Sequence, residues 1–322
     1  MHHALPATYL TLAATLLAAL AAPAQGSGPS PQIPKLDGPW WPIAGQPALG
    51  DLGAPGQQPV DFAIWQAADG TWQLWSCIRG TACGGLTRLF YRWQGATLQT
   101  SNWQPMGIAM QADLTLGEVP GGLQAPHVFR ANGVFHMVYG DFQRICLMRS
   151  TDGKTFTRVL NQNGQPDLFA GPYLNPRDAM VFRLDSLWAC YYCGSYPPAT
   201  YQSAVFCRTS ADLVHWSDSQ MVNAGGSAST PPTPFDAECP FVLERNGWYY
   251  LFRNQVYGPF ALNTQYASKN PFDFGIGTDR CKISTLPVAA PEIVQLGGQY
   301  YLAALNPLLD GIRVTRLRWA DQ

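Results

Sequence analysis

Charged residues are sparse in this chain, and no cluster of Lys or Arg occurs anywhere in it. Only 13% of the 322 residues are Asp, Glu, Lys or Arg, and the formal net charge is −1 at pH 7. Proteins that bind nucleic acid or an anionic membrane normally present a basic patch, because phosphates must be neutralised. The composition therefore argues against both classes of partner. The 11 Trp and 14 Tyr are compatible with a neutral, sugar-like ligand, although aromatic residues also fill protein cores.

A membrane-spanning segment is also lacking. The longest run of small and apolar residues, Leu10 to Ala22, is too short for a comfortable transmembrane helix. The tripeptide Ala22-Pro23-Ala24 that follows has the small-x-small pattern of a signal peptidase site. We therefore predict a signal peptide over residues 1–24, a secreted or periplasmic protein, and no membrane contact after cleavage. A retained N-terminal anchor is the alternative, and no Cys follows the run to accept a lipid.

Metal and cofactor motifs are equally scarce. The pair Cys190 and Cys193 has the spacing of a zinc or redox motif but no second Cys pair and no nearby His, so we expect no metal there. No acidic loop motif supports calcium, and no organic cofactor is expected. Eight cysteines behind a signal peptide do predict disulfides. Cys77 and Cys83 flank a short loop that they would close, and the spacing leaves the pairing of the others open.

A short sequence pattern recurs five times along the chain, at intervals of between 51 and 64 residues. Each copy has an apolar stretch, a turn such as Asp-Gly, Asn-Gly or Gly-Gly, and an aromatic-rich strand, which together indicate a β-hairpin. Hairpins repeated at long, fixed intervals are typical of a propeller. The sequence therefore predicts an all-β, five-bladed β-propeller with an axial active-site pocket. The copies begin at Asp61, Ala125, Asp178, Glu238 and Ala290.

The predicted propeller occupies residues 61–322 and forms a single domain. Residues 25–60 are rich in Gly, Pro, Ser and Gln. We interpret them as a loose lead-in, with Trp40 and Trp41 packed on the first blade.

Three of the five copies carry an acid where the innermost strand begins. Innermost strands line the central channel, so Asp61, Asp178 and Glu238 should converge there although they lie some 60 residues apart. Two other copies have Ala125 and Ala290 at the comparable place, so the hairpin itself does not require an acid. The alternative is that each acid is a strand-end carboxylate, satisfied by backbone amides or an Arg.

Three converging carboxyl groups suit glycoside hydrolysis. One carboxylic acid protonates the leaving oxygen, one carboxylate activates water or attacks, and a third stabilises oxocarbenium-like charge. The apolar neighbours of Glu238 should raise its pKa and suit it as the proton donor, whereas Arg177 should keep Asp178 ionised.

These residues resemble the catalytic motifs of glycoside hydrolase families 43 and 32 and their relatives 62 and 68. The resemblance rests on Asp61, Arg177-Asp178 and Glu238-Cys239-Pro240, and covers roughly residues 60–320. It implies a five-bladed propeller in which Asp61 is the general base or nucleophile, Asp178 the transition-state stabiliser and Glu238 the general acid. The chain departs from the family pattern in having Phe62 and Ala179 where a Pro is usual.

We therefore predict a secreted glycoside hydrolase acting on a glycan with furanosidic or pentose-like units. A catalytically silent carbohydrate-binding propeller is the alternative, and the two departures favour it. Transglycosylation or phosphorolysis is a second enzymatic interpretation, but phosphorolysis needs a cluster of basic residues near the pocket. Further residues are expected to contact the sugar, from the plus-one positions of the innermost strands and the loops around them: Arg177, His127, Glu292, Arg79, Arg253, Trp75 and Tyr257.

Overall fold

A computed structural model describes residues 29–196 and 202–321 of the chain. The predicted signal peptide, residues 1–24, lies outside the described residues. All the strands belong to one compact unit, Pro31–Gln322. Within the described ranges, no helix is long and apolar enough to cross a membrane.

The strands form five antiparallel sheets, each a blade of a β-propeller. The first strand of the chain, β1 (Ile33–Ala44), belongs to the last blade. Blades one and two follow it along the chain. Their strands are β2 (Gln58–Gln66), β3 (Trp72–Arg79), β4 (Leu89–Gly95) and β5 (Gln104–Met110), then β6 (Gln124–Ala131), β7 (Val134–Gly140), β8 (Arg144–Ser150), β9 (Thr157–Arg158) and β10 (Asp167–Ala170).

Blades three and four each have four strands in sequential order. Blade five combines three strands from the end of the chain with β1. The remaining strands are β11 (Leu174–Leu184), β12 (Leu187–Tyr196), β13 (Gln202–Ser210), β14 (Gln220–Ala224), β15 (Glu238–Arg245), β16 (Trp248–Val256), β17 (Leu262–Ser268), β18 (Lys282–Leu286), β19 (Glu292–Leu296), β20 (Gln299–Leu305) and β21 (Ile312–Ala320). Short 3-10 turns occur at Gly50–Leu52, Leu114–Leu116, Ser227–Ser229 and Gly258–Phe260. The predicted five-bladed propeller is thus confirmed.

Two-residue turns join the first two strands of several blades, as the sequence predicts. Asn132-Gly133, Asn246-Gly247 and Gly297-Gly298 each have positive φ at both positions. That combination matches the type I′ turn, whose twist fits the right-handed twist of the flanking strands. The turns fix the register of the hairpins, and hence which residue of each innermost strand reaches the axis.

The expected loose lead-in is instead partly a strand. β1 pairs antiparallel with β21, with Ile33 opposite Ala320, and so completes blade five. The propeller therefore begins at Ile33 rather than at residue 61. Trp41 still reaches blade one, because its indole N–H donates a hydrogen bond to the Leu98 carbonyl at 3.0 Å. Backbone pairing with a distant strand has no local signal in sequence, and this is why composition suggested a loop.

The predicted disulfides are absent. Each of the eight cysteines, all of which lie within the described residues, is a free thiol. The thiol of Cys77 is buried and donates to the Leu123 carbonyl at 3.3 Å, whereas the Cys83 thiol lies 3.5 Å from the Arg88 carbonyl. The two side chains therefore contact different groups and do not close the loop between them.

Candidate active site on the propeller axis

In every blade one residue near the start of the innermost strand, within the strand or just before it, has the left-handed backbone conformation. In blades one to four the strand register shifts at this point, as a bulge would cause. All five of these residues line a narrow channel on the axis. We call them the axial residues: Asp61 (φ 38°), Ala125 (φ 39°), Asp178 (φ 55°), Cys239 (φ 45°) and Ala290 (φ 48°).

Cys239 links the two axial aspartates. Its backbone N–H donates to Asp178 Oδ2 at 3.0 Å, and its thiol donates to Asp61 Oδ1 at 3.2 Å. The Tyr257 hydroxyl donates to the same Asp61 oxygen at 2.8 Å, and the Cys193 thiol donates to Asp178 Oδ2 at 3.0 Å. Both carboxyl groups are therefore held in position by donors from other blades or neighbouring strands.

Arg177 joins Glu238 to this group. Its Nε atom donates to Glu238 Oε1 at 3.0 Å and lies 3.9 Å from Asp178 Oδ2. Its terminal nitrogens donate to the carbonyls of Asn175 and Pro234, at 3.1 and 2.8 Å. The guanidinium is buried with every nitrogen engaged. It therefore fixes the orientation of Glu238 and supplies positive charge between two carboxyl groups.

Burial raises the pKa of two of the three acids. Desolvation raises the pKa of Glu238 to about 7, because the neighbouring Asp178 and Asp61 charges add to the effect of burial and Arg177 opposes it only in part. Desolvation and the charge of Asp178 also raise the pKa of Asp61, and the charge of Arg88 and the donors Cys239 and Tyr257 oppose that shift. Glu238 can therefore carry a proton near neutral pH, as a general acid requires.

The three acids face an open cavity of about 750 Å³, a size usual for small-ligand sites. We call it the open cavity. Charged, polar and apolar side chains share its wall, with the apolar ones Leu174 and Phe235 largely exposed. The wall consists of Asp61, Arg79, Arg88, Gln124, Phe142, Leu174, Asn175, Arg177, Asp178, Ser195, Pro234, Phe235, Glu238, Gln255, Val256 and Tyr257.

The narrow axial channel is a separate space of about 20 Å³, enough for about one water molecule. It contains His127 and Glu292, whose Nδ1 and Oε2 atoms are 3.9 Å apart. Burial raises the pKa of Glu292, and His127 opposes that shift. His127 Nδ1 has no hydrogen-bond partner in the described part of the chain. Both residues are brought to the axis, as their positions suggested, but neither lines the open cavity.

Two of the expected sugar contacts lie elsewhere. Arg253 is fully buried, and its guanidinium donates to the Asp236 carbonyl at 2.8 Å and to Asn223 Oδ1 at 2.8 Å, so it supports loops of blades three and four. Trp75 packs in the core, with its ring 5.4 Å from that of Phe156. Alternation along their strands places both inside the blades. Arg79 and Tyr257, in contrast, do line the open cavity.

Several residues of the site were not expected. Cys239 was not among the predicted site residues, yet it occupies the axial position of blade four, directly before Pro240, as Ala125 stands before Pro126 in blade two. Arg88 and Phe142 lie in loops without periodic pattern and had no signal in the sequence. Among the described residues, no group of three or more His, Cys, Asp or Glu side chains is placed to hold a metal ion.

Comparison with solved structures shows where this fold recurs. A thermostable family-43 glycoside hydrolase superimposes with a TM-score of 0.63 at 17% identity, over 84% of this chain and 92% of that one. An α-L-arabinofuranosidase from Lactobacillus brevis gives 0.60 at 14%, over 82% and 92%. A family-43 enzyme from Xanthomonas citri, complexed with xylose, gives 0.58 at 14%, over 86% and 90%.

Comparison with protein-family models and with curated proteins found no match. The evidence of similarity is therefore structural, and it confirms the resemblance seen in the sequence at the level of the fold. The chain has the five-bladed β-propeller fold of the family-43 glycoside hydrolases.

Proposed function

We propose that this protein is a glycoside hydrolase that acts on a glycan with furanosidic or pentose-type units. The observation that carries the proposal is the meeting of Asp61, Asp178 and Glu238 on one open cavity, with Arg177 fixed between two of them. Hydrolysis of a glycosidic bond needs one protonated and one ionised carboxyl group. The raised pKa of Glu238, to about 7, supports that division of labour.

Each acid has a separate role in the proposed mechanism. Glu238 donates its proton to the glycosidic oxygen as the bond to the anomeric carbon breaks. Asp61 either attacks that carbon or removes a proton from the attacking water. Asp178, whose Oδ2 lies 3.9 Å from Arg177 Nε, stabilises the positive charge that develops on the sugar ring. Proton NMR of the first product released separates attack by Asp61, which retains the anomeric configuration, from attack by water, which inverts it.

The fold neighbours support a pentose substrate. They include an α-L-arabinofuranosidase, a β-xylosidase, and an enzyme complexed with xylotriose. A cavity of about 750 Å³ has room for a sugar unit and part of the chain attached to it. We propose the same class of substrate for this chain.

A release assay tests the proposal. The protein is incubated with aryl α-L-arabinofuranoside, aryl β-D-xyloside and a panel of pentose- and fructose-containing polysaccharides. The variant Glu238→Gln should lose turnover of at least one responsive substrate by about 10²–10⁴-fold, because the proton donor is gone. Glu244→Gln, on the same strand β15, is the matched control and should retain activity. Binding of glycan by both variants without release by the unmodified protein would indicate the silent binding module instead.

Secretion remains a proposal that rests on the sequence of residues 1–24. Expression with the complete N-terminus, followed by intact mass measurement of the extracellular or periplasmic protein, should give a chain that begins near residue 25. A product that keeps residues 1–24 would refute cleavage.

A further inference from the structure

Two arginines in the wall of the open cavity form no ion pair with a carboxylate in the described part of the chain. Arg79, the last residue of β3, donates from Nε and Nη2 to the uncharged amide oxygen of Gln58, at 3.0 and 2.7 Å. The Arg88 guanidinium lies over the ring of Phe142, 4.9 Å from its centroid. Within the described part of the chain, no Asp or Glu oxygen lies within 4.0 Å of either guanidinium.

Other arginines near buried acids are neutralised. Arg177 contacts Glu238 at 3.0 Å, Arg144 contacts Asp141 at 3.0 Å, and Arg158 contacts Glu118 at 2.8 Å. Arg177, the third arginine of the cavity wall, is paired in this way, whereas Arg79 and Arg88 are not. Their charge is available to something that enters the cavity.

The wall of the open cavity has a net positive charge when Glu238 is protonated. The ionisable acids and bases that line the open cavity are three arginines (Arg79, Arg88 and Arg177) and three acids (Asp61, Asp178 and Glu238). In the protonation state that the proposed mechanism requires, Glu238 is neutral, so three positive charges face two negative ones. A cleft with excess charge of one sign and low-dielectric walls attracts a ligand group of the opposite sign.

The chemistry of Arg88 favours recognition of an oxyanion. Its backbone is anchored by an N–H donated to the Gly121 carbonyl at 2.9 Å, and its planar side chain rests on an aromatic face. A guanidinium has five N–H donors in a fixed fork, and that fork matches the two oxygens of a carboxylate or the oxygens of a phosphate. Stacking leaves the edge of the fork free, whereas Arg79 has only its Nη1 free.

We infer that Arg88, assisted by Arg79, binds an oxyanion that accompanies the sugar in the open cavity. The two sources of such a group are the carboxylate of an acidic glycan, such as a uronic acid side unit, and free inorganic phosphate. The inference rests on the proposed function in one respect: the glycan is taken to occupy this same cavity. It adds that the substrate, or the molecule that reacts with it, carries negative charge.

Calorimetric titration separates charge from shape. One probe is xylobiose carrying a glucuronic acid unit, and the other is its methyl ester, which has nearly the same size and no charge. Glu238→Gln protein is titrated alongside the unmodified protein so that turnover does not obscure binding. The free acid should bind about tenfold more tightly than the ester, and raising the NaCl concentration should remove that preference.

Substitution of Arg88 tests whether this residue causes the preference for the free acid over the ester. Arg88→Met should bring the affinities for acid and ester within about twofold of each other, while leaving ester binding unchanged. Arg88→Lys should recover only part of the preference, because a point charge lacks the planar fork. Arg130→Met is the matched control, since Arg130 also stacks on a phenylalanine, Phe135 at 5.0 Å, but does not line the open cavity. It should keep the full preference, and thermal unfolding verifies that each variant is folded.

A third titration, with inorganic phosphate, distinguishes the two sources. Phosphate that binds only when Arg88 is present, together with equal affinity for acid and ester, would assign the site to phosphate. Equal affinity for acid and ester without Arg88-dependent phosphate binding would overturn the inference, as would an Arg88→Met variant that weakens both probes equally. The proposed function is scored separately, because Glu238→Gln abolishes release whether or not an oxyanion binds at Arg88.

Discussion

Blades one and two approach the axis with the same backbone and different chemistry. Asp61 and Ala125 have φ values of 38° and 39°, and both line the axial channel. Left-handed backbone in a non-glycine residue is costly and is often interpreted as strain stored for catalysis. Here Ala125 and Ala290 adopt it without any reactive group. The conformation therefore belongs to the propeller, which turns every innermost strand at this point, and the chemistry depends only on which side chain occupies the position.

In blade four the axial residue and the acid are two different residues. Its axial residue is Cys239, whose thiol and N–H hold the aspartates of blades one and three. Its acid, Glu238, stands one residue earlier and contacts Arg177 instead. One blade thus positions other acids and contributes an acid of its own from two successive residues. The comparison of acidic with inert axial positions yields five predictions.

The largest effect is expected when the axial acid of blade one is removed, since blade two has no acid at that position. Asp61→Asn should reduce kcat by about 10²–10⁴-fold on any responsive glycan, because the base or nucleophile is lost while asparagine tolerates the same backbone. Asp185→Asn is the matched control, since Asp185 also has φ 38° but lies in the turn between β11 and β12, away from the cavity. Full activity in Asp61→Asn would mean that the axial acid is structural, as its alanine counterparts are.

The pH dependence of kcat/KM distinguishes the role of Glu238 from that of Asp61. The folded-state pKa of Glu238 is raised to about 7, so the proton donor is lost as pH rises through that value. Above it, kcat/KM should fall about tenfold per pH unit, because only the protonated fraction donates. With an aryl glycoside whose leaving group needs no protonation, Glu238→Gln should retain some activity and lose this alkaline limb. An alkaline limb that persists in the variant would assign it to another group.

The free energy of unfolding should also depend on pH through the Glu238 carboxyl group. A carboxyl group with a raised folded-state pKa favours the folded state most below its unfolded pKa, near 4.5, and this contribution is lost as pH rises through about 7.

A smaller effect is expected from the donor that holds Asp61. Tyr257→Phe removes the hydroxyl that donates to Asp61 Oδ1 at 2.8 Å, which helps to keep that carboxylate ionised. The acidic limb of kcat/KM should move to higher pH, and activity near neutrality should fall by about tenfold, as expected for losing one hydrogen bond to a charged group. Tyr191→Phe, which loses a buried hydroxyl bonded to the Pro271 carbonyl, should leave the pH profile unchanged. An unshifted acidic limb in Tyr257→Phe would show that the hydroxyl only packs.

The smallest effect is expected at the axial positions that carry alanine. Ala290→Gly should raise the free energy of unfolding by about 0.5–1 kcal/mol, because relief of the left-handed alanine outweighs the added freedom of glycine in the unfolded chain. Urea denaturation measures it, and activity should not change. Ala303→Gly, in the extended strand β20, should instead destabilise the protein. Loss of activity in Ala290→Gly would show that this blade is not inert after all.

The sequence predicted the repeating part of the structure well, for a physical reason. Hairpins are local, so the Asn-Gly and Gly-Gly turns indicated each blade, and the positions of Asp61 and Asp178 within the repeat indicated the axis. Cys239 was not recognised as an axial residue, because the acid of its blade, Glu238, stands one residue earlier and was taken as the start of that copy. Side chains such as Trp75 and Arg253 were misplaced, because aromatic and basic residues near strand ends fill cores as readily as they line cavities.

Features that depend on distant contacts were outside the reach of sequence patterns. Arg88 meets Phe142 only because two loops of neighbouring blades approach each other. Cys77 and Cys83 do not pair with each other, because their thiols lie against different carbonyl groups, those of Leu123 and Arg88. The pairing of β1 with β21 joins residues separated by nearly the whole chain. In each case the deciding contact lies between segments that no local periodicity relates.

That last pairing bears on how the protein is made. A ribosome produces β1 before the other strands and β21 after them, so blade five stays incomplete until β21 has been made. Until then β1 and β20 each present an edge without its final neighbour, and unpaired edges of apolar strands are where chains stick to one another. A chain truncated before Ile312 would therefore have four complete blades and two strands with unpaired edges. We expect such a product to aggregate or be degraded.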